Sequence, residues 1–273
     1  MAADGAFDDA VRGCVAIVHV AATTTYAPNP HEVITPTVAG LHNILKSAIR
    51  TNSIRRFVLT SSSTAARQPQ PNVSFHVHSS SWNDAIVDKA WETPPYDQSR
   101  SRVVYGASKV AEERELWSFV ENQKPGFVVN AVLPNFNIGE ILSPDPPKSS
   151  SSGWVKGLYD GDEGDTEYMR SFAAQYMVDV KDTARLHVAA LMFDDVKIER
   201  LFAFAEPFNF NKLLRYIRAV APRDIQLPEE IENAAGDISS VDTKRSVELL
   251  RRMGRQGWTS MEQSVLENCI GLT

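Results

Sequence analysis

No stretch of this chain approaches the roughly 20 consecutive apolar residues of a membrane-crossing helix, so a membrane partner is not expected. Cysteine is almost missing: Cys14 and Cys269 are the only two in 273 residues. They lie far apart and make no metal-ligand spacing, which excludes a disulfide scaffold and points to a reducing, cytoplasmic compartment. Basic charge is in deficit, with 28 Lys and Arg against 34 Asp and Glu and a formal net charge of −6. Without a basic block, nucleic-acid binding by phosphate neutralisation is not expected. The acidic opening from Met1 to Asp9 lacks the positive flank of a signal peptide, and there are no internal repeats. What remains is ordinary globular material, 43% hydrophobic and 23% charged. That suffices for one large α/β domain, or a core with a smaller subdomain.

The apolar run from Cys14 to Ala22 is rich in β-branched residues (Val15, Ile17, Val18, Val20) and reads as a buried strand. Residues 33–48 read as a helix with Val38, Leu41, Leu45 and Ala48 at near-helical spacing, Pro36 being tolerable only near its start. A second strand runs through Phe57, Val58 and Leu59 and ends at Thr60-Ser61-Ser62-Ser63; residues 67–100 are loop-like. Residues 104–121 read as a helix with Val110, Trp117 and Val120 inward and Glu112, Glu113 and Glu115 on the wet side. A third strand covers 128–136, and Pro144 to Gly164 is low in complexity and reads as a mobile surface loop. Residues 180–193 read as a helix with Ala184, His187, Val188 and Leu191 on one side, followed by a short strand at 201–205. Three helices close the chain. The last starts at a capping pattern, Thr259 to Glu262, with Met261, Val265 and Cys269 on one stripe. Strand, helix, strand, helix, strand is the order of a parallel sheet flanked by helices.

One cluster points to chemistry. In Tyr105-Gly106-Ala107-Ser108-Lys109 the phenol and the ammonium are four residues apart on a helix, so they share a face and one site. A free tyrosine titrates near pH ~10 and is a weak acid or base at neutrality, but an adjacent lysine charge favours its phenolate. A hydroxyl from the carboxyl end of a neighbouring strand, such as Ser62, could orient a carbonyl, because open α/β sheets place ligands at those strand ends. Other polar features carry bland readings. His19 reads as a hydrogen-bonded core histidine. His76 and His78 lack a third ligand nearby, so no metal is expected. Asp160 to Asp165 reads as a solvated acidic turn, and Cys269 as a buried, inert thiol.

With these residues the sequence resembles the extended short-chain dehydrogenase/reductase superfamily, of the NAD-dependent epimerase/dehydratase type. Within it, the chain looks most like the dihydroflavonol, aldehyde and methylglyoxal reductase branch. Five segments carry the resemblance in order: Phe7 to Gly13 with Val18-His19-Val20-Ala21, Arg56 to Ser62, Tyr105 to Lys109, Leu133 to Gly139, and Val178 to Ala184. The resemblance implies a Rossmann-like, doubly wound parallel sheet, N-terminally incomplete, with a small C-terminal substrate-binding subdomain. Residues 1–140 would form the dinucleotide-binding core and 141–273 mainly the substrate part, with segments returning to the core.

It also implies roles. Tyr105 would give the proton, Lys109 would hold the nicotinamide ribose and tune Tyr105, and Ser62 would fix the substrate oxygen, with Ser63 as its alternative. Val20, Ala21, Thr60, Pro134, Asn135 and Phe136 would line the cofactor, NADPH rather than NADH. The family's opening strand and Gly-x-x-Gly-x-x-Gly/Ala turn, which cradle the pyrophosphate, have no counterpart here. The first residues match a point roughly 60 residues into the family pattern, which puts cofactor binding in doubt. A truncated gene model, a relic that no longer binds dinucleotide and a chain completed by a partner are each compatible with that gap. The implied activity is reduction of a small-molecule ketone or aldehyde in secondary metabolism or detoxification, by a monomer or homodimer. A nucleotide-sugar epimerase or dehydratase and a non-catalytic binding module are the alternatives. Trp82-Asn83-Asp84 and Leu133 to Phe136 fit the reductase branch better.

Overall fold

Strand β1 (Ala16–His19), helix α1 (Pro30–Arg50) and strand β2 (Arg56–Thr60) open the structure, a computed structural model that describes residues 3–143 and 150–270. Short helix α2 (Ser63–Ala66), β3 (His76–Val77) and α3 (Asp84–Ala90) come next. They lead to the long α4 (Ser101–Gln123) and to β4 (Val128–Pro134) and β5 (Phe136–Ile138). The second half holds α5 (Ser151–Asp160), α6 (Glu163–Arg170), β6 (Gln175–Asp179), α7 (Val180–Met192), β7 (Arg200–Ala203) and β8 (Glu206–Phe208). It closes with α8 (Phe210–Val220), β9 (Ser240–Val241), α9 (Lys244–Arg252) and α10 (Met261–Ile270). Among the described residues no helix is long and apolar enough to cross a membrane.

The chain divides into two compact units. The first takes the residues up to Gln68, His78–Leu133 and His187–Leu201; the second takes Pro69–Val77, Pro134–Leu186 and the residues from Phe202 onward. The principal sheet has the order β1-β2-β4-β7, with β1 parallel to β2 and β2 parallel to β4. This is a Rossmann-like α/β arrangement. In β2, Phe57, Val58 and Leu59 are fully buried, as expected of a strand covered on both faces. Burying each such side chain stabilises the fold by roughly 1.5–3 kcal/mol. Of the 14–22 run expected as a buried strand, only Ala16–His19 is strand, with Ile17 and His19 buried; Val18 within it and Val15 and Val20 on either side are exposed. Arg56 and the fully buried Asn130 tie the lead-in to β7 onto this sheet. Arg56 donates to the Val196 carbonyl at 2.9 Å; Asn130 donates to the same carbonyl at 3.1 Å and accepts from the Glu199 amide at 3.0 Å.

The second unit carries a three-stranded sheet β5-β6-β8, parallel then antiparallel, and a two-stranded parallel pair β3-β9. Its core is aromatic: Phe136 meets Phe172 and Phe208 at 5.5 and 5.2 Å, and Trp154 meets Tyr168 at 4.7 Å. Gly139, at φ +135°, sits where a Cβ would lie 2.8 Å from Asp179 Oδ2 and 3.1 Å from Val180 Cγ1. Gly139→Ala is therefore expected to cost about 1–3 kcal/mol, read as a lower urea midpoint at unchanged slope. An unchanged midpoint would show that the turn relaxes freely.

Several sequence expectations are corrected. The helix expected at 33–48 runs from Pro30 to Arg50 and holds Pro36 in its interior, with Asn29 capping its start. The loop expected at 67–100 contains α3. Of the loop expected at 144–164, residues 144–149 lie outside the described residues, while 151–160 are helical and α6 begins at Glu163. Glu112 and Glu113 are not on a wet face: both are completely buried. On α7 the exposed positions include Ala184 and Val188, and the buried ones Leu186, His187, Ala189 and Ala190. The cap of α10 is Ser260, whose hydroxyl accepts from the Gln263 amide, one residue beyond Thr259. Met261, Val265 and Cys269 are buried as a stripe, and burial pushes the Cys269 thiol up to about 12.

Candidate active site

Ser62 lies two residues past the end of β2 and caps α2. Its Oγ accepts from the Thr64 amide at 3.3 Å and from the Thr64 hydroxyl at 2.9 Å. Both contacts use lone pairs, so the Ser62 hydroxyl proton remains available to a further acceptor. Thr64 also lies under α4. A Cβ on Gly106 would stand 3.6 Å from Thr64 Cβ and 2.5 Å from Ile86 Cδ1, so the glycine after Tyr105 lets α4 approach both α2 and α3. Tyr105 is half-buried, its ring against Tyr26 at 5.4 Å. Its hydroxyl makes no hydrogen bond to the described residues.

One turn on, Lys109 is buried; Nζ donates to the Thr60 carbonyl at 3.1 Å and to Glu112 Oε2 at 2.8 Å. An ammonium has three donors, so one N–H is left over. Burial opposes the charge on Lys109, but the Glu112 carboxylate and then Tyr105 favour it, and the net shift is upward. Glu112 shows the mirror image. Burial pushes it up, the Lys109 charge and the His19 contact pull it down, and the net shift is downward. By linkage, the Glu112 contribution to stability is complete above the ordinary carboxylate value and is lost as pH falls through the depressed one. The Lys109 contribution is complete below the ordinary lysine value and is lost as pH rises through the elevated one. The pair is ionised throughout the neutral range.

A second buried carboxylate holds the strand end. Glu113 accepts from Ser61 Oγ at 2.7 Å, Trp117 Nε1 at 3.1 Å, Arg200 Nε at 2.7 Å and the Arg200 guanidinium again at 3.2 Å. Arg200 also donates to the carbonyls of Ser79 and Ser81 at 2.8 and 2.6 Å. The Trp82 ring lies 4.0 Å from the guanidinium carbons of both Arg114 and Arg200. This network fixes Ser61, and with it the backbone leading into Ser62. Glu112, Glu113 and Arg200 had no place in the sequence-derived site. One signal was available: Glu112 is three residues after Lys109, hence on its helical face.

The first unit thus brings Ser62, Tyr105, Lys109 and Thr60 into one region of β2 and α4. Thr60 is half-buried, and its hydroxyl is 2.7 Å from His187 Nε2. Val20 and Ala21 are exposed just past the carboxyl end of β1. Pro134, Asn135 and Phe136 belong to the second unit. There Asn135 Oδ1 accepts from the Phe136 amide at 2.8 Å, and the Phe136 ring is committed to the aromatic core. The Val178 to Ala184 segment contributes Asp179 and Lys181 to a polar cavity of about 690 Å³ shared with Arg185, Arg255 and Trp258. A cavity of about 820 Å³ elsewhere in this unit, beside Arg215 and Glu230, contains none of the predicted residues.

A family model of NAD-binding proteins, described as male sterility protein, matches residues 3–164, more than half of the chain. Aldehyde reductase 2 of Sporidiobolus salmonicolor is 35% identical over 266 residues, which cover 97% of this chain and 77% of that protein. The chain belongs to the extended short-chain dehydrogenase/reductase superfamily. Ketoreductase adrE of Penicillium roqueforti is 35% identical over 269 residues, covering 95% of this chain and 76% of the relative. Among solved structures, yeast methylglyoxal/isovaleraldehyde reductase Gre2 complexed with NADPH aligns with a TM-score of 0.74 at 21% identity. That alignment covers 96% of this chain and 78% of the yeast one, and the likeness is one of fold. The relatives put the chain in the carbonyl-reductase branch of the superfamily, whose members are NAD(P)-dependent oxidoreductases.

Proposed function

We propose that the chain is an NADPH-dependent reductase of an aldehyde or ketone, with Tyr105 as proton donor, Lys109 as its charge partner and Ser62 as the donor that orients the carbonyl. The observation that carries this reading is the set of hydrogen-bonding capacities in the first unit that the described residues leave open. They are the Ser62 proton, the Tyr105 hydroxyl and one N–H of the buried Lys109. A dinucleotide fits that donor set: the spare Lys109 N–H needs an oxygen such as a ribose hydroxyl, and the exposed Val20 and Ala21 offer apolar surface at a strand's carboxyl end. When bound, the reduced nicotinamide supplies hydride to the carbonyl carbon.

The chain's own part is positioning and the proton. Ser62 donates to the carbonyl oxygen and holds it toward Tyr105. As charge develops on that oxygen, Tyr105 transfers its proton there, and the Lys109 ammonium stabilises the phenolate that remains. The test is nicotinamide oxidation by the purified chain with NADPH, and separately NADH, across a panel of aldehydes and ketones. Ser62→Ala is expected to lower kcat about 10²-fold, as loss of one preorganised donor does, with the fold retained. A kcat equal to wild type would remove Ser62 from the site and direct attention to Ser63.

A further inference from the structure

The Lys109–Glu112 pair is costly as a purely structural device. Both side chains are nearly inaccessible, 3% and 1% exposed. Glu112 Oε1 makes no hydrogen bond to the described residues, and His19 Nε2 stands 3.6 Å from it. An apolar pair of similar volume would hold the same helix turn as well or better, because burying two charges sets desolvation against their attraction. A buried carboxylate oxygen left unmet adds to that cost. Stability therefore does not account for Glu112.

We propose that Glu112 is a positioning residue for carbonyl reduction: it holds the Lys109 ammonium charged and in place beside Tyr105, with His19 bounding the far side of its carboxylate. This rests on the reductase reading above and names a residue that reading does not use. The groups around the ammonium come from four elements. Tyr105, Glu112 and Glu113 belong to α4; the Thr60 carbonyl comes from β2; His19 faces Glu112 from β1; His187 of α7 reaches the Thr60 hydroxyl. Of these, Glu112 alone has a carboxylate oxygen on Nζ, at 2.8 Å. When the Tyr105 proton leaves for the carbonyl oxygen, the electron pair of its O–H bond stays on Tyr105 Oη. A charged Lys109 balances that phenolate; a neutral lysine does not. With Glu112 uncharged, burial becomes the dominant influence on Lys109, and a buried lysine sheds its proton early.

The test is Glu112→Gln in the full chain, which keeps the shape and removes the charge. Its kcat at neutral pH is expected to fall tenfold or more, with KM for the carbonyl within about twofold, and the alkaline limb of its pH profile is expected to move to lower pH. Glu112→Asp is expected to recover part of the loss. A folded Glu112→Gln protein with wild-type kcat and profile would overturn the proposal. A second measurement does not depend on that variant folding or on activity: wild-type protein with carbon-13 at the lysine Cε positions, titrated by NMR, the Lys109 signal being assigned by its absence from Lys109→Met. Lys109 is expected to stay charged to higher pH than the exposed lysines, and titration below them would overturn the proposal. Late titration of Lys109 in a folded but inactive wild type would instead overturn the reductase reading, and with it the catalytic role of Glu112, while leaving the charge coupling of Glu112 to Lys109 in place.

Discussion

Tyr105→Phe is expected to lower kcat for carbonyl reduction by about 10²–10⁴-fold, the usual contribution of a positioned general acid. Nicotinamide affinity and the melting temperature should stay close to wild type. The ring is half-buried against Tyr26, and phenylalanine keeps that contact. Because the Tyr105 hydroxyl bonds to no described residue, its removal leaves no buried partner unsatisfied. The loss should therefore appear in kcat and in kcat/KM together, the mark of an interaction made in the transition state. Steady-state kinetics on the folded variant check it, and a kcat within a few-fold of wild type would remove Tyr105 from the proton-donor role.

Arg200→Met is expected to destabilise the fold by about 3–5 kcal/mol, because it strips the guanidinium from a completely buried Glu113. That corresponds to a fall in melting temperature of roughly 6–20 °C for a chain of this size. The same change removes two donors from the carbonyls of Ser79 and Ser81 and one of the two guanidinium groups stacked on Trp82. In a double-mutant cycle, Glu113→Gln with Arg200→Met should cost less than the sum of the single changes, since the glutamine leaves no orphaned charge. A loss below about 1 kcal/mol would show that the network is solvated in practice, as exposed ion pairs are.

The contrast between these two residues shows what was legible in the sequence. Tyr105 and Lys109 could be read because their relation is local: four residues on a helix fix a shared face whatever packs around it. The strands at 16–19 and 56–60 were legible as β-branched or continuous apolar runs, and the principal sheet follows from them. Glu113 and Arg200 were not legible. They lie 87 positions apart, and glutamates in a charged helical stretch ordinarily mark solvent. Tertiary contact with Arg200 turns Glu113 inward, whereas Glu112 meets its cation, Lys109, within α4. Helices α5 and α6 were hidden by composition, since serine, glycine and aspartate there suggest loop. In the structure those residues are the caps: Ser150 accepts from the Gly153 amide, Gly161 ends α5 at φ +80°, and Asp162 accepts from the Asp165 amide.

The most direct measurement is reduction of a carbonyl substrate by the purified chain with NADPH carrying deuterium at the transferable position of the nicotinamide ring, followed by mass and NMR analysis of the alcohol. The predicted result is one deuterium on the carbinol carbon, in a single alcohol enantiomer, formed in proportion to NADPH consumed. A chain shown to be folded that yields no alcohol, or an alcohol without deuterium at that carbon, would contradict the account.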